Sequence, residues 1–243
     1  IIFGVSRVVN FAHGSFYMLG AYIAYSLVQA LGNGALGFWA AVVLAAVAVG
    51  LIGVLMETLL LRRLYRSPEL FQLVATFGVV LVVQDLALAV WGPDDLLGPR
   101  APELEGAVAI LGHRVPEYDL ALIVIGPVVL AVLWMLLNRT RWGILVRAAT
   151  QDPEMAGALG INQKWLLTGV FFLGSLLAGL GGALQLPREP ANLLMDMGII
   201  AEAFVVVVIG GMGSIGGAFL AAVVIGELQA FGILIFPEIT LVL

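Results

Sequence analysis

Apolar residues run along this chain in blocks longer than a soluble helix or a strand requires. No charged side chain occurs between Val8 and Met56. One helix of that length would greatly exceed the roughly 20 residues that cross the hydrocarbon of a bilayer. The stretch Gly32-Asn33-Gly34-Ala35-Leu36-Gly37 divides it, and glycine clusters of this kind mark turns. The pattern predicts membrane spans near residues 16–31, 38–61, 70–91, 120–137 and 165–186. Residues 203–226 are also uncharged, but Gly210-Gly211-Met212-Gly213-Ser214-Ile215-Gly216-Gly217 interrupts them. This predicts a broken or re-entrant segment that returns as a helix to about Phe236. The runs are too continuous for barrel strands, which alternate. Helices are the open-ended elements that satisfy every backbone group in lipid. The expected fold is therefore all-α, a polytopic multi-helix bundle with discontinuous glycine-rich segments.

Composition narrows the function. Of 243 residues, 62% are hydrophobic and 11% charged, with a mean hydropathy of +1.10. A soluble domain carries about 25% charged residues, so a soluble enzyme, a disordered chain and a nucleic-acid binder are excluded. There is no cysteine, hence no disulfide, thiolate nucleophile or Cys-ligated metal. The sole lysine, Lys164, lies between Gln163 and Trp165, outside any phosphate-binding glycine loop. Any nucleotide that drives this chain is bound by another polypeptide. The start Ile-Ile-Phe and the end at Leu243 lead us to expect one transmembrane domain over residues 1–243, with a further helix missing at each end.

The basic residues set the orientation. Seven of eleven fall in two tracts, Arg62, Arg63, Arg66 and Arg139, Arg141, Arg147, Lys164. Residues 92–119 hold Arg100 and Arg114 against Asp94, Asp95, Glu103, Glu105, Glu117 and Asp119. The positive-inside rule places both basic tracts in the cytoplasm and the proline-rich acidic loop outside. A cysteine at Ala101 is expected to report from that outer side.

Residues 139–164 form a cytoplasmic loop longer than a helix-to-helix turn needs. Asp152 fits an N-cap, Pro153 the first helical position and Gly160 a C-terminal stop. A short helix over residues 153–159 follows, with small residues Ala156, Gly157 and Ala158 that permit close approach of another surface.

Glu154-Met-Ala-Gly-Ala-Leu-Gly160 resembles the Glu-Ala-Ala-x-x-x-Gly pattern of ABC importer permeases, apart from Met155. Val9-Asn-Phe-Ala-His-Gly-Ser-Phe-Tyr-Met-Leu-Gly-Ala21 is similar to the Asn-Phe-Ala-His-Gly signature of branched-chain amino-acid ABC permeases. Arg147 to Ile161 resembles the coupling loop of that family, and Val208 to Ala218 its glycine-rich C-terminal signature. Two departures stand out: Asn162-Gln163 replaces an expected Leu-Pro, and Asp85 stands where an uncharged Asn is expected. The resemblance implies a permease of the bacterial inner membrane that moves branched-chain amino acids or similar small polar solutes. It implies a second permease, related or identical, cytoplasmic ATPase subunits holding ATP and Mg, and a periplasmic solute-binding protein. This chain itself is expected to hold no cofactor, catalytic residue or metal. The coupling residues would be Arg147, Asp152, Glu154, Ala156, Gly160 and Ile161.

Discontinuous helices near both ends of a transporter point to its solute path. The candidates are Asn10, His13, Gly14, Ser15, Glu202, Gly211, Gly213 and Ser214, with the two breaks expected to meet near the membrane's middle. A helix-end role for His13 stands equally open. Gly50 is expected to be an ordinary span position. Gly174, Ser175, Ala178, Gly179, Gly182 and Ala183 give small-x-x-x-small spacings that let helices pack closely. Glu57, Asp85, Glu202 and Glu227 lie in or beside apolar runs, where acids are functional candidates. They keep a proton-coupled carrier open as an alternative. An intramembrane enzyme lacks any paired-His or Ser-His-Asp set.

Overall fold

The computed structural model describes residues 10–32, 34–65, 67–110, 112–211 and 213–235. Val9, Arg66, Met212 and Phe236, each part of an expectation above, lie outside them. The described residues form helices α1 (Ala12–Leu31), α2 (Ala35–Leu64), α3 (Glu69–Trp91), α4 (Glu117–Arg139), α5 (Arg141–Gln151), α6 (Pro153–Ala158), α7 (Gln163–Gln185), α8 (Met195–Gly210) and α9 (Ile215–Ile235). A hairpin of β1 (Ala107–Ile110) and β2 (His113–Pro116) is the one sheet among them. Helices α2, α3, α4, α7 and α9 are long and apolar enough to cross a membrane. With α1 at their centre they make an all-α polytopic bundle.

The centre is built from α1, α2 and α7. Its core includes Phe16, Tyr22, Val49, Val170 and Phe171. Small residues bring the backbones together. A side chain at Gly20 would strike the backbone of Gly179, and one at Gly182 would strike the Tyr17 carbonyl. Gly53 faces the Ser175 side chain, and Gly179 faces Val49. Gly50 is no ordinary span position, because a Cβ there would lie 2.8 Å from the Phe172 ring. The small-residue spacings of α7 are thus internal packing.

Helix directions follow from paired contacts. The Phe11 N–H donates to Thr76 Oγ1 at 3.4 Å, and Trp91 Nε1 donates to Ser26 Oγ at 2.7 Å. These contacts join the entry of α1 to the lower part of α3, and the far part of α1 to its end. The two helices therefore run parallel. Helix α2 runs antiparallel to α7, since Val49 meets Gly179 and Gly53 meets Ser175. At the same end of this pair Arg62 Nη2 donates to Thr168 Oγ1 at 2.6 Å. That contact joins the two basic tracts on one side, as the charge pattern requires.

The opposite side carries the acidic loop. Tyr118 donates to the Leu184 carbonyl at 2.6 Å, Arg188 pairs with Asp119 at 3.1 Å, and Leu96 bridges Ala191. The loop is more ordered than its prolines imply. Residues 107–116 pair as the hairpin, and Glu117 to Asp119 already belong to the first turn of α4. Proline at 116 leads into that helix without breaking it, since the first turn needs no N–H there. Ala101 is 1% exposed, so the hairpin offers the better reporter. The interrupted segment is longer than the uncharged run suggests. Helix α8 starts at Met195, eight residues earlier than expected, and α9 extends to Ile235.

Two outcomes follow. Gly182→Leu should cost about 3 kcal/mol, the upper end for overpacking against a backbone that cannot yield, whereas Gly226→Leu, which faces open space, should leave the melting temperature in detergent unchanged. Ala109→Cys on exposed β1 should react with an impermeant thiol reagent from outside the cell; labelling from the cytoplasmic side alone would invert the topology.

Candidate functional site

Two sets of residues carry candidate function, one inside the bundle and one at its basic end. The inner set begins where the chain enters α1. Asn10 Oδ1 accepts the Ala12 N–H at 3.1 Å and the Asn10 carbonyl accepts that of His13 at 3.2 Å. Asn10 is thus a capping residue for α1. Its Nδ2, and Nδ1 of His13, are buried and find no hydrogen-bond partner among the described residues. Gly14 is needed for contact: a Cβ there would strike the carbonyl of Asp196 on α8.

Asp196 is 2% exposed. Its carboxylate accepts Gln84 Nε2 at 3.0 and 2.9 Å, the Met197 N–H at 2.8 Å and Ser15 Oγ at 3.4 Å. None of these donors is a cation. What holds the carboxylate is a set of neutral donors together with its place in the first turn of α8, where the helix dipole favours negative charge. Ser15 and Gln84 come from α1 and α3, so one carboxylate ties three helices. Asp196 and Gln84 were missed in the sequence, although an isolated acid in the apolar run Leu193–Ile200 is the same signal that marked Glu202.

The glycine break does not meet this cluster. Gly210 lies fourteen residues beyond Asp196 along α8, about 21 Å at 1.5 Å per residue. There the chain makes a tight helical hairpin. Gly211 and Gly213 have φ of 86° and 90°, conformations that favour glycine. Ser214 Oγ accepts the Gly217 N–H at 3.0 Å and caps α9. Gly217 abuts the Gly210 carbonyl. The expected meeting of the two breaks gives way to a meeting of the first break with the start of α8. Glu202 is exposed on α8, as are Glu227 on α9 and Asp85 on α3.

Glu57 differs from those three: it is fully buried. It sits in a π-helical turn, Glu57–Leu61, whose i→i+5 bonding brings residues five apart onto one face. Arg62 donates to both its oxygens at 3.3 and 3.0 Å, Tyr65 to Oε1 at 3.2 Å and Thr168 to Oε2 at 2.8 Å. Burial, and then the Glu57 carboxylate beside it, push the Tyr65 phenol far above its ordinary range, so it remains a donor.

At the basic end, Thr140 caps α5 by accepting the Gly143 N–H at 3.1 Å. This helix lies within the expected loop 139–164; Trp142, Val146 and Ala149 recur at helical spacing, and they pack toward the core. Arg147 on α5 donates to the Leu137 carbonyl and to Asn138 Oδ1, which caps the end of α4. Asp152 caps α6 by accepting the Met155 N–H at 2.9 Å, with Pro153 at its first position. Gly160, at φ 80°, ends it. The Gly160 N–H donates to Gly157 and the Ile161 N–H to Ala156, at 3.0 and 3.1 Å, the paired bonds of a Schellman stop. Ala156 is buried beneath the helix, while Glu154, Met155 and Leu159 are exposed. Met155 and Leu159, four residues apart, share one face and are 58% and 74% exposed.

Comparison with known proteins follows this geometry. The family model described as branched-chain amino acid transport system / permease component matches residues 1–243. The chain is 29% identical over 251 residues to the high-affinity branched-chain amino acid transport system permease protein BraD of Pseudomonas aeruginosa, covering 98% of this chain and 80% of that protein. It is 26% identical to the permease protein LivH of Escherichia coli K12, covering 95% and 78%. Over 107 residues it is 34% identical to the fructose import permease protein FrcC of Rhizobium meliloti, covering 41% and 29%. No solved structure matches.

Asp196→Ala should loosen the α8–α9 hairpin at a cost of about 2 kcal/mol, because Gln84 and Ser15 lose a buried acceptor. Protease cleavage within residues 186–194 should speed up accordingly. Asp196→Asn, which keeps one acceptor oxygen, should lie between the two.

Proposed function

Because the chain belongs to the family of branched-chain amino acid transport permeases, we propose that it is the membrane-spanning subunit of an ATP-driven importer in the bacterial inner membrane. Its cargo is a branched-chain amino acid or a similar small polar solute. The observation that carries this reading is α6: a helix of six residues, fixed at both ends by its own caps and displaying Met155 and Leu159 to the cytoplasm. Contiguous apolar surface outside the spans favours a protein contact, and Met155 and Leu159 lie together on one exposed face. A motor subunit with bound ATP and Mg is the partner that a rigid, laterally tethered knob serves. Hydrolysis belongs to that subunit.

The acids support a second permease. Glu202 and Glu227 are exposed on apolar helices, and lipid is a costly neighbour for both. Another permease, identical or related, gives them a polar surface to face. The proposed path runs along α1 and α8, from Asn10, His13, Gly14 and Ser15 at the entry of α1 to Glu202, Gly211, Gly213 and Ser214 further along the α8–α9 hairpin. No Lys or Arg occurs between Val8 and Leu61 or between Glu189 and Leu243, which favours a zwitterion or neutral solute over a strong anion. A periplasmic binding protein would deliver it at the hairpin side.

Docking is tested on the displayed face. The buried Ala156 is unsuitable, since a charge there breaks the loop itself. Leu159→Asp with Met155→Asp should lower co-purification of the ATPase and solute uptake at least about tenfold while leaving the amount of permease in the membrane unchanged, as expected when the apolar anchors of an interface are removed. Normal uptake in the double variant would overturn the docking assignment.

A further inference from the structure

The buried carboxylate of Glu57 has one partner that stands apart from the rest. Arg62 and Tyr65 belong to the end of α2 and its exit. Thr168 alone comes from α7. Among the described residues the hydrogen-bonded link between the two helices at this end is thus one hydroxyl, which donates to Glu57 at 2.8 Å and accepts from Arg62 at 2.6 Å.

That hydroxyl has a second acceptor. The carbonyl of Lys164, one turn earlier in α7, lies 2.9 Å from Thr168 Oγ1. A threonine carries a single hydroxyl proton, so it bonds either across to α2 or back within α7. When the helices part, Thr168 turns to Lys164 and Glu57 keeps Arg62 and Tyr65. Neither side is left with an unsatisfied buried group. A contact that opens at so little cost has two discrete arrangements, which is what transmission between sites requires.

Its position connects it to α6. Gln163, the first residue of α7, donates to the Pro153 carbonyl at the start of α6. Thr168 lies five residues further along the same helix. A displacement of α6 is therefore passed to the first turns of α7, and from there to the π-turn of α2, which packs along α7 through Gly53 and Val49.

We propose that the Thr168 contact with Glu57 and Arg62 is a releasable latch through which movement of α6 is coupled to α2. Thr168 is a positioning residue for transport. The proposal rests on the reading that α6 receives an ATPase.

The test uses the whole transporter, purified with its ATPase and binding protein and reconstituted in liposomes. Thr168→Val removes the hydroxyl and preserves the side-chain shape; Thr168→Ser keeps the hydroxyl. ATP hydrolysed per solute imported is measured together with the melting temperature of each permease. The latch predicts at least a threefold rise in ATP per solute for valine, the wild-type ratio for serine, and similar melting temperatures. A wild-type ratio for Thr168→Val overturns it. So does a loss of transport that tracks a loss of stability, as a purely structural contact would give. Should valine not accumulate, Thr168→Ala replaces it; failure of both to fold marks the contact as structural and refutes the latch. An unaltered transporter that imports solute without ATP would refute the ATPase reading itself, and the latch with it.

Discussion

The close approach of α7 to α1 and α2 governs the rest of the molecule. In lipid no hydrophobic force drives helices together, and association depends on contact between backbones. Gly20, Gly53, Gly179 and Gly182 supply that contact at successive levels of the bundle. Once the three helices are seated, α3 lies along α1 and the outer ends of α4 and α7 meet through Tyr118 and Arg188. The α8–α9 hairpin attaches from outside, with Asp196 the one buried residue of α8.

Charge inside the bundle is handled in two ways. Glu57 is neutralised by Arg62 within its own helix end, and removing one partner of such a pair costs about 3–5 kcal/mol because the other charge is stranded. Asp196 instead relies on neutral donors and a helix N-terminus. The first arrangement keeps Glu57 paired within α2 whether or not Thr168 of α7 also holds it. The second anchors the start of the α8–α9 hairpin, on which Ala221 of α9 is also buried.

Much of this was legible in the sequence. Four of the expected spans, at residues 38–61, 70–91, 120–137 and 165–186, together with the shared side of the basic tracts and the capped helix from Pro153 to Gly160, rest on local signals: apolar run length, Lys and Arg placement, and cap residues in the right order. The expected span at 16–31 is the central helix α1, which among the described residues is not one of the five helices long and apolar enough to cross a membrane. Helix α5 escaped because its charged ends read as loop, although Trp142 and Val146 carried the helical spacing. The π-turn at Glu57 has no sequence signature; it sets Arg62, five residues on in the same helix, beside Glu57. Of the inner cluster, Ser15 and Gly14 were found through the glycine-rich start of α1. Gln84 and Asp196 are single polar residues in apolar runs, and which helix they face is decided by packing that local patterns do not encode. The same holds for the distance between the two glycine breaks.

The proposed drive by ATP through a partner at α6 is decided by solute accumulation in cells or vesicles whose proton gradient and ATP pool are controlled separately. Uptake should continue when a protonophore collapses the gradient with ATP maintained, and stop when ATP is depleted with the gradient intact. Uptake that follows the proton gradient and ignores ATP would contradict it.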